Sequence, residues 1–326
     1  MKVSVAMISY NHEKFIAQAI EGVLMQKTDF DFELIIGEDC SPDRTGTIVA
    51  EYQRRFPDKI RATIREKNIG GLRNFIDVIE SCSGEYVALC EGDDYWTDPG
   101  KLQKQVDYLD AHQDCAICCT RAGVFYDGAE GDAYHTYWPD VETKEITTFA
   151  DLVANGDYIP TCTTVYRNHL FPELPEWFRA APVGDWPLHL LNAQHGNVYY
   201  MSEVTAAYRR HPGGMTHSWS EVKHFQNLLG ILSSMSPSLD GYHRGIVREE
   251  VKRIYYRLSL LYERQGDLSA ARAYAWRRVR SRHCENGVES PVRHMLRLYL
   301  PGLHRFARNC KQAMVRKARS EDLADK

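Results

Sequence analysis

Four short apolar runs in the first 110 residues each give way to an amphipathic stretch, and this alternation leaves few folds open. Val3 to Ser9 (VSVAMIS), Phe32 to Gly37 (FELIIG), Ile60 to Ile64 (IRATI) and Glu85 to Cys90 (EYVALC) have strand length and near-continuous hydrophobicity. Between them, Phe15, Ile16, Ala19, Ile20, Val23 and Leu24 recur at helical spacing, as do Ile48, Val49, Tyr52 and Phe56, and then Leu72, Phe75, Ile76 and Ile79. Leu102, Val106 and Leu109 continue the pattern after the fourth run. Strands linked by helices of this length predict an α/β fold, with a mostly parallel sheet covered by helices on both faces. Ligands of such sheets bind at the carboxyl ends of the strands.

Those ends are where the sequence turns polar. The stretch from Gly84 to Gln105 (GEYVALCEGDDYWTDPGKLQKQ) closes a buried strand with Glu91, Asp93 and Asp94, and Asp98-Pro99 then reads as a helix start. Like charges this close raise one another's pKa unless something positive neutralises them. A divalent cation does so, and Mg²⁺ takes one or two carboxylates together with phosphate oxygens. A solvated acidic turn is the plainer alternative. The first strand ends at Ser9, Tyr10, Asn11 and the second at Glu38, Asp39, so three polar groups fall on one edge of the sheet. Neither GxGxxG after the first strand nor GxxxxGK[ST] occurs, so a dinucleotide cradle and a P-loop are not indicated. Asp39 beside its short loop could accept hydrogen bonds from a uracil N–H or ribose hydroxyls, or serve as an ordinary turn acid.

Asp114 to Tyr126 predicts another strand, 127–145 a polar loop or lid, Phe149 to Ala154 a short helix, and Thr161 to Tyr166 (TCTTVY) a strand. Asp185, beside Trp186 at the opening of a helix, is either an N-cap or a general base against an aromatic wall. Val198 to Tyr208 predicts a strand pair or extended ribbon leading into Arg209-Arg210-His211-Pro212-Gly213-Gly214, a loop suited to closing over phosphates. His211 there is a candidate third metal ligand.

After residue 220 the pattern is helical, which predicts a catalytic domain over 1–220 and a helical, basic region over 221–326. The formal charge of −4 conceals the contrast. Residues 221–326 carry 21 Lys and Arg against 11 Asp and Glu, the remainder 19 against 33. Val247 to Arg264 and Leu268 to Arg280 read as a helix pair joined by Gln265-Gly266-Asp267, similar to a single tetratricopeptide unit. From Ala270 to Arg319, basic residues interleave with Met295, Leu296, Leu298, Tyr299 and Leu300, which fits either a helix on an anionic membrane or a solvated basic face. Nine scattered cysteines suggest reduced thiols, and Cys115 with Cys118 lacks the second pair a zinc site needs. The opening residues resemble neither a signal peptide nor a membrane span, and no later apolar run reaches membrane length. A cytoplasmic protein is expected, at most peripheral on the inner face of the membrane.

As an ordered set, VSVAMISYNHEKFIAQAIEGVLMQ, ELIIGEDCSPDRT, NIGGLRNF, EGDDYWTDPGKLQKQ, GDWPLHL and YRRHPGGMT resemble the family 2 glycosyltransferases with the GT-A, Rossmann-like fold, over roughly residues 1–220. The resemblance implies an inverting transferase that moves a sugar from a nucleotide diphosphate sugar, UDP-linked by expectation, to a hydroxyl of a glycan, lipid-linked or protein acceptor. Bacterial surface polysaccharide synthesis is the implied setting, with Mn²⁺ or Mg²⁺ as cofactor and no nucleic-acid partner. It implies that Ser9, Tyr10, Asn11, Asp39, Asn68 and Asp93 bind the nucleotide sugar, that Glu91, Asp93, Asp94 and His211 hold the metal, and that Asp185 is the catalytic base. Two departures stand out: Glu38-Asp39-Cys40-Ser41 where relatives read DDGS, and Glu91-Gly92-Asp93-Asp94 where they read DxDD. The rival readings are a sugar nucleotidyltransferase, which lacks its Gly-rich loop here, and a nucleotide- or glycan-binding protein without turnover.

Overall fold

The structure, a computed structural model, describes residues 1–126, 135–136, 144–156, 158–214, 219–281 and 290–300. Most of the expected lid over 127–145, residues 215–218, Cys284, Cys310 and the basic stretch beyond residue 300 lie outside them. The chain divides into two compact units, Met1–His217 and Ser218–Lys326.

The first unit opens with β1 (Val3–Ser9), α1 (Ile16–Leu24), β2 (Phe32–Glu38), α2 (Thr45–Arg55), β3 (Ile60–Ile64), α3 (Gly71–Glu80) and β4 (Tyr86–Leu89). β1 pairs in parallel with β2 and β4, and β2 with β3. Val3, Val5 and Met7 are fully buried, as the side chains of a central strand covered on both faces must be. The chain continues through β5 (Tyr95–Trp96), α4 (Lys101–Ala111), β6 (Cys115–Tyr126), β7 (His135–Thr136), β8 (Ile146–Thr147), α5 (Phe149–Asn155), β9 (Val165–Arg167), α6 (Glu176–Arg179), α7 (Asp185–Ala193) and β10 (Asn197–Arg210). The sheet runs β3-β2-β1-β4-β9-β6-β10-β5, with β7 beside β6 and β8 beside β10. Its parallel half is interrupted where β9 inserts antiparallel between β4 and β6.

In this second half one sequence expectation changes and one open alternative is decided. Thr161 to Tyr166 is not one strand: Thr161–Thr163 forms a 3₁₀ turn and only Val165–Arg167 extends. Hydrogen bonds override the β-branched composition, because the Thr163 hydroxyl donates to Pro160 O at 2.7 Å and Gln105 Nε2 donates to Thr163 O at 2.9 Å. Of the two readings of Val198 to Tyr208, the extended ribbon holds: it is part of one 14-residue strand, not a strand pair. It stays parallel to β6 from Asn197 to Arg210, and register shifts between Tyr200 and Ala206 absorb the irregular middle as bulges.

Below that turn lies a buried polar knot. Lys101, fully enclosed, donates to Gln105 Oε1 at 2.6 Å and sits 4.3 Å from the centre of the Trp96 ring, whose Nε1 donates to Cys162 O at 2.7 Å. Burial depresses the Lys101 amine to about 8. Gln105 also donates to Cys118 O at 2.8 Å, so one helical side chain ties β6 to the 161–163 turn.

The second unit contains α8 (Glu221–Met235), α9 (Gly241–Arg264), α10 (Leu268–Arg280) and α11 (Pro291–Tyr299). The expected α9–α10 corner is present: Gly266 turns through φ 83° and the Asp267 side chain caps α10 from Ala270 N at 2.9 Å. Ala271, Ala275 and Leu298 form its small core. The seven described cysteines are free thiols. Among the described residues, no helix is long and apolar enough to cross a membrane.

Candidate active site

The turn after β4 is pressed against the end of β1. Gly92 N donates to Ile8 O at 2.9 Å, and a Cβ at Gly92 would stand 2.9 Å from Ser9 Oγ and 3.0 Å from His12 Nδ1. Only glycine lets the acidic turn approach this closely. Asp93 then projects its Oδ2 to 3.0 Å from His211 Nε2 and 3.8 Å from His12 Nε2. Burial opposes ionisation of Asp93, but the His211 hydrogen bond and the fields of both imidazoles outweigh it and hold the carboxyl below its usual range.

The neighbouring acids do different work. Asp94 is buried and turned towards β10, where its Oδ1 accepts from Arg209 N at 2.8 Å. Arg209 Nε donates to Asp93 O at 2.8 Å, and its guanidinium lies over the rings of Phe15 and Tyr95, so the last residues of β10 clamp the turn. Burial and the charge of Asp93 push Asp94 well above the carboxylate range. Burial, followed by Asp94, Asp93 and Asp185, does the same to Glu91, whose enclosed Oε2 has no hydrogen-bond partner among the described residues.

At the end of β2, Asp39 is buried and its two oxygens accept from Ile69 N and Gly70 N at 2.8 and 2.9 Å. Gly70, at φ 91°, supplies the left-handed turn that aims both N–H groups at one carboxylate. Asn68 Nδ2 donates to Asp39 O at 3.0 Å. A carboxylate has about four lone-pair directions, so Asp39 keeps acceptor capacity beyond these two bonds. Asn11, at φ 59°, donates its N–H to Ser41 Oγ at 2.9 Å and does not line the cleft.

Asp185 is the first residue of α7, and it does not cap the helix in the expected N-cap position, which Gly184 occupies. Its Oδ1 accepts from Trp186 N at 2.8 Å and its Oδ2 from the Thr161 hydroxyl at 3.2 Å. The turn held by Gln105 therefore also holds the hydroxyl that orients Asp185. One helical turn on, His189 is fully buried, neither ring nitrogen has a hydrogen-bond partner among the described residues, and burial lowers it to about 4.

These segments meet in one cleft of about 480 Å³, lined by Ser9, Tyr10, Asp39, Asn68, Glu91, Asp93, Asp94 and Asp185 from the sequence analysis, and by His12, Thr161 and Arg209. Acids from the ends of β2 and β4 and from the start of α7 thus face a common space. Among the described residues, His12, Asp93 and His211 form the one trio of metal-ligating side chains, their ligand atoms all within 4.8 Å of one another. Glu91 and Asp94 stand outside it. The trio suits a divalent cation: one carboxylate and two imidazoles converge, with Ser9 Oγ and Glu91 Oε2 left unpartnered in the same cleft.

The family described as "Glycosyl transferase family 2" matches residues 4–171. The chain belongs to glycosyl transferase family 2. An uncharacterised protein of Mycobacterium tuberculosis is 37% identical over 254 residues, 76% of this chain and 71% of the relative. TarS of Staphylococcus aureus, a poly(ribitol-phosphate) beta-N-acetylglucosaminyltransferase, is 28% identical over 145 residues, 43% of this chain and 24% of TarS. Among solved structures, TarS 1–349 in complex with UDP-GlcNAc superposes with a TM-score of 0.61 at 19% identity, covering 84% of this chain and 81% of that one. The mannosyltransferase PcManGT of Pyrobaculum calidifontis, in complex with GDP-Man and Mn²⁺, gives 0.58 at 15% identity, covering 100% and 88%. The GT-A fold of this family 2 glycosyltransferase is thereby shown.

Sequence reasoning missed His12, Thr161 and Arg209 as site residues. Each reaches the cleft through contacts to residues 24 to more than 100 positions away. His12, following Asn11 at the end of β1, and Arg209, in the basic stretch before Gly213-Gly214, carried local signals; Thr161 carried none.

Proposed function

We propose that this family 2 glycosyltransferase moves a sugar from a UDP-linked donor to an acceptor hydroxyl with inversion, using a divalent cation, in the assembly of a bacterial surface polysaccharide. The observation that carries the reading is the common cleft onto which Asp39, Asp93 and Asp185 open. Asp39, with Asn68, Ser9 and Tyr10 along the same cleft, is assigned to the nucleoside, and Asp93 with His211 to the cation; Asn11 lies off the cleft. When bound, that cation supplies neutralising charge to the diphosphate as it leaves.

Asp185 accepts the proton of the acceptor hydroxyl while that oxygen bonds to the anomeric carbon and the bond from that carbon to the diphosphate breaks. A single displacement of this kind inverts the configuration. Thr161 and Trp186 N each occupy one direction on a different Asp185 oxygen, which fixes the carboxylate and leaves lone pairs for the proton. Arg209, bonded to the Asp93 carbonyl, holds the acidic turn in register. UDP is favoured over GDP because TarS, which this chain also matches in sequence, was solved with UDP-GlcNAc.

The same reading puts the enzyme in the cytoplasm, with Ser218–Lys326 as the unit that meets the inner face of the membrane. Exposed Trp276, Leu296 and Tyr299, beside the arginines of α10, support that contact. Calorimetric screening of UDP-, GDP- and dTDP-sugars with and without Mn²⁺ tests the donor. Cation-dependent binding of a UDP-sugar is the expected result, and stronger binding of a GDP-sugar would overturn the assignment.

A further inference from the structure

The proposed reaction gives His12 no part, yet its position in the cleft is tightly constrained. Its backbone N–H is fixed by Thr45 Oγ1 at 2.9 Å, and its carbonyl accepts from Phe15 N and Ile16 N at 2.9 and 2.8 Å, at the entry to α1. The imidazole stands edge-on to that of His211, ring centres 6.1 Å apart, with Phe15 beside both. Both Nε2 atoms converge on the same oxygen, Asp93 Oδ2.

We propose that His12 is a ligand of the cation together with Asp93 and His211, and that the resulting two-imidazole, one-carboxylate set selects a first-row transition-metal dication over Mg²⁺. The inference rests on the cation reading of the cleft and goes beyond it in naming the ligand and the class of ion. Mg²⁺ prefers oxygen donors in near-ideal octahedral geometry and keeps several waters, whereas imidazole nitrogens suit the transition ions. Three protein donors leave the remaining positions to oxygens of a diphosphate and water. An alternative role for His12, donating a hydrogen bond to a phosphate, would not require its Nε2 to face the carboxylate that carries the ion.

The experiment is Mn²⁺ binding to the full chain, followed by the EPR signal of free Mn²⁺, with pulsed EPR to count imidazole ¹⁴N couplings, in the presence and absence of UDP. Wild type is expected to show two coupled imidazoles. His12→Ala is expected to show one, with Mn²⁺ affinity lower by at least about tenfold, since loss even of a group that merely supports a ligand has that effect. His12→Asp, which exchanges nitrogen for oxygen, is expected to recover Mg²⁺ competition against Mn²⁺, and unchanged thermal melts would show that both variants fold. One imidazole in wild type, with His12→Ala binding Mn²⁺ as wild type does, would overturn the inference and leave the cation reading intact. No Mn²⁺ binding in either condition would overturn both.

Discussion

The two halves of the catalytic unit were built by different means. From β1 to β4 the sheet is parallel, each of the first three strands is followed by its own helix, and the polar residues sit where a local pattern places them, at strand ends. From β5 to β10 the sheet is mixed, and the site depends on side chains that cross between elements: Gln105 holding the 161–163 turn, Thr161 holding Asp185, Arg209 holding Asp93 and Asp94. In this enzyme the side of the cleft built by β1 to β4 is local architecture and the opposite side is tertiary assembly. The contrast predicts that changes in the first half alter what binds, while changes in the second alter turnover and folding.

The sharpest separation is at Asp185. Asp185→Asn should lower kcat by about 10²–10⁴-fold, the range of a lost general base, with donor affinity by calorimetry unchanged. Equal loss of binding would erase the distinction between the halves. His189 tests the second half through stability. Its folded pKa of about 4 lies below the ordinary 6.5, so as pH falls the unfolded chain takes up the proton first and the fold loses stability between those values. His189→Leu should remove this slope, narrowing the acid-induced loss by about 2 kcal/mol at pH 5 relative to pH 7.5 in urea unfolding. A variant as acid-sensitive as wild type would refute the assignment.

Adjacent acids then offer a comparison across the boundary. Asp93→Ala should weaken cation-dependent UDP binding by about 10–100-fold with little change in melting temperature. Asp94→Ala strands the Arg209 N–H in a buried site and should destabilise the fold by about 1–3 kcal/mol. Reversal of the two phenotypes would show that the cation sits on Asp94. The smallest effect is expected from Thr161→Val, which removes one hydrogen bond of roughly 1 kcal/mol and should cut kcat about fivefold while leaving KM unchanged.

Much of the first half was legible before any coordinates. Strand periodicity located Val3 to Ser9 and Ile60 to Ile64 to the residue, and the polar ends of β1, β2 and β4 do line the cleft. Lys101 and Gln105 were not legible. Neither belongs to the Leu102, Val106 and Leu109 pattern, yet both are fully enclosed, because the partners that compensate their burial come from Trp96, β6 and the 161–163 turn. β-branched Thr161 to Tyr166 misled for a related reason: side-chain hydrogen bonds from elsewhere outweighed an intrinsic preference worth about 1 kcal/mol at most.

The sequence by itself determined the α/β alternation, the edge of the sheet on which polar groups collect, and the family, since all three follow from short-range periodicity and ordered motifs. Only the tertiary structure decided which acid in Glu91-Gly92-Asp93-Asp94 meets His211 and His12, and which turns towards Arg209. Successive residues in a tight turn point in different directions, and the groups awaiting them arrive from residues 12, 209 and 211. A one-dimensional pattern carries the number of carboxylates but not the partners that fix their charge.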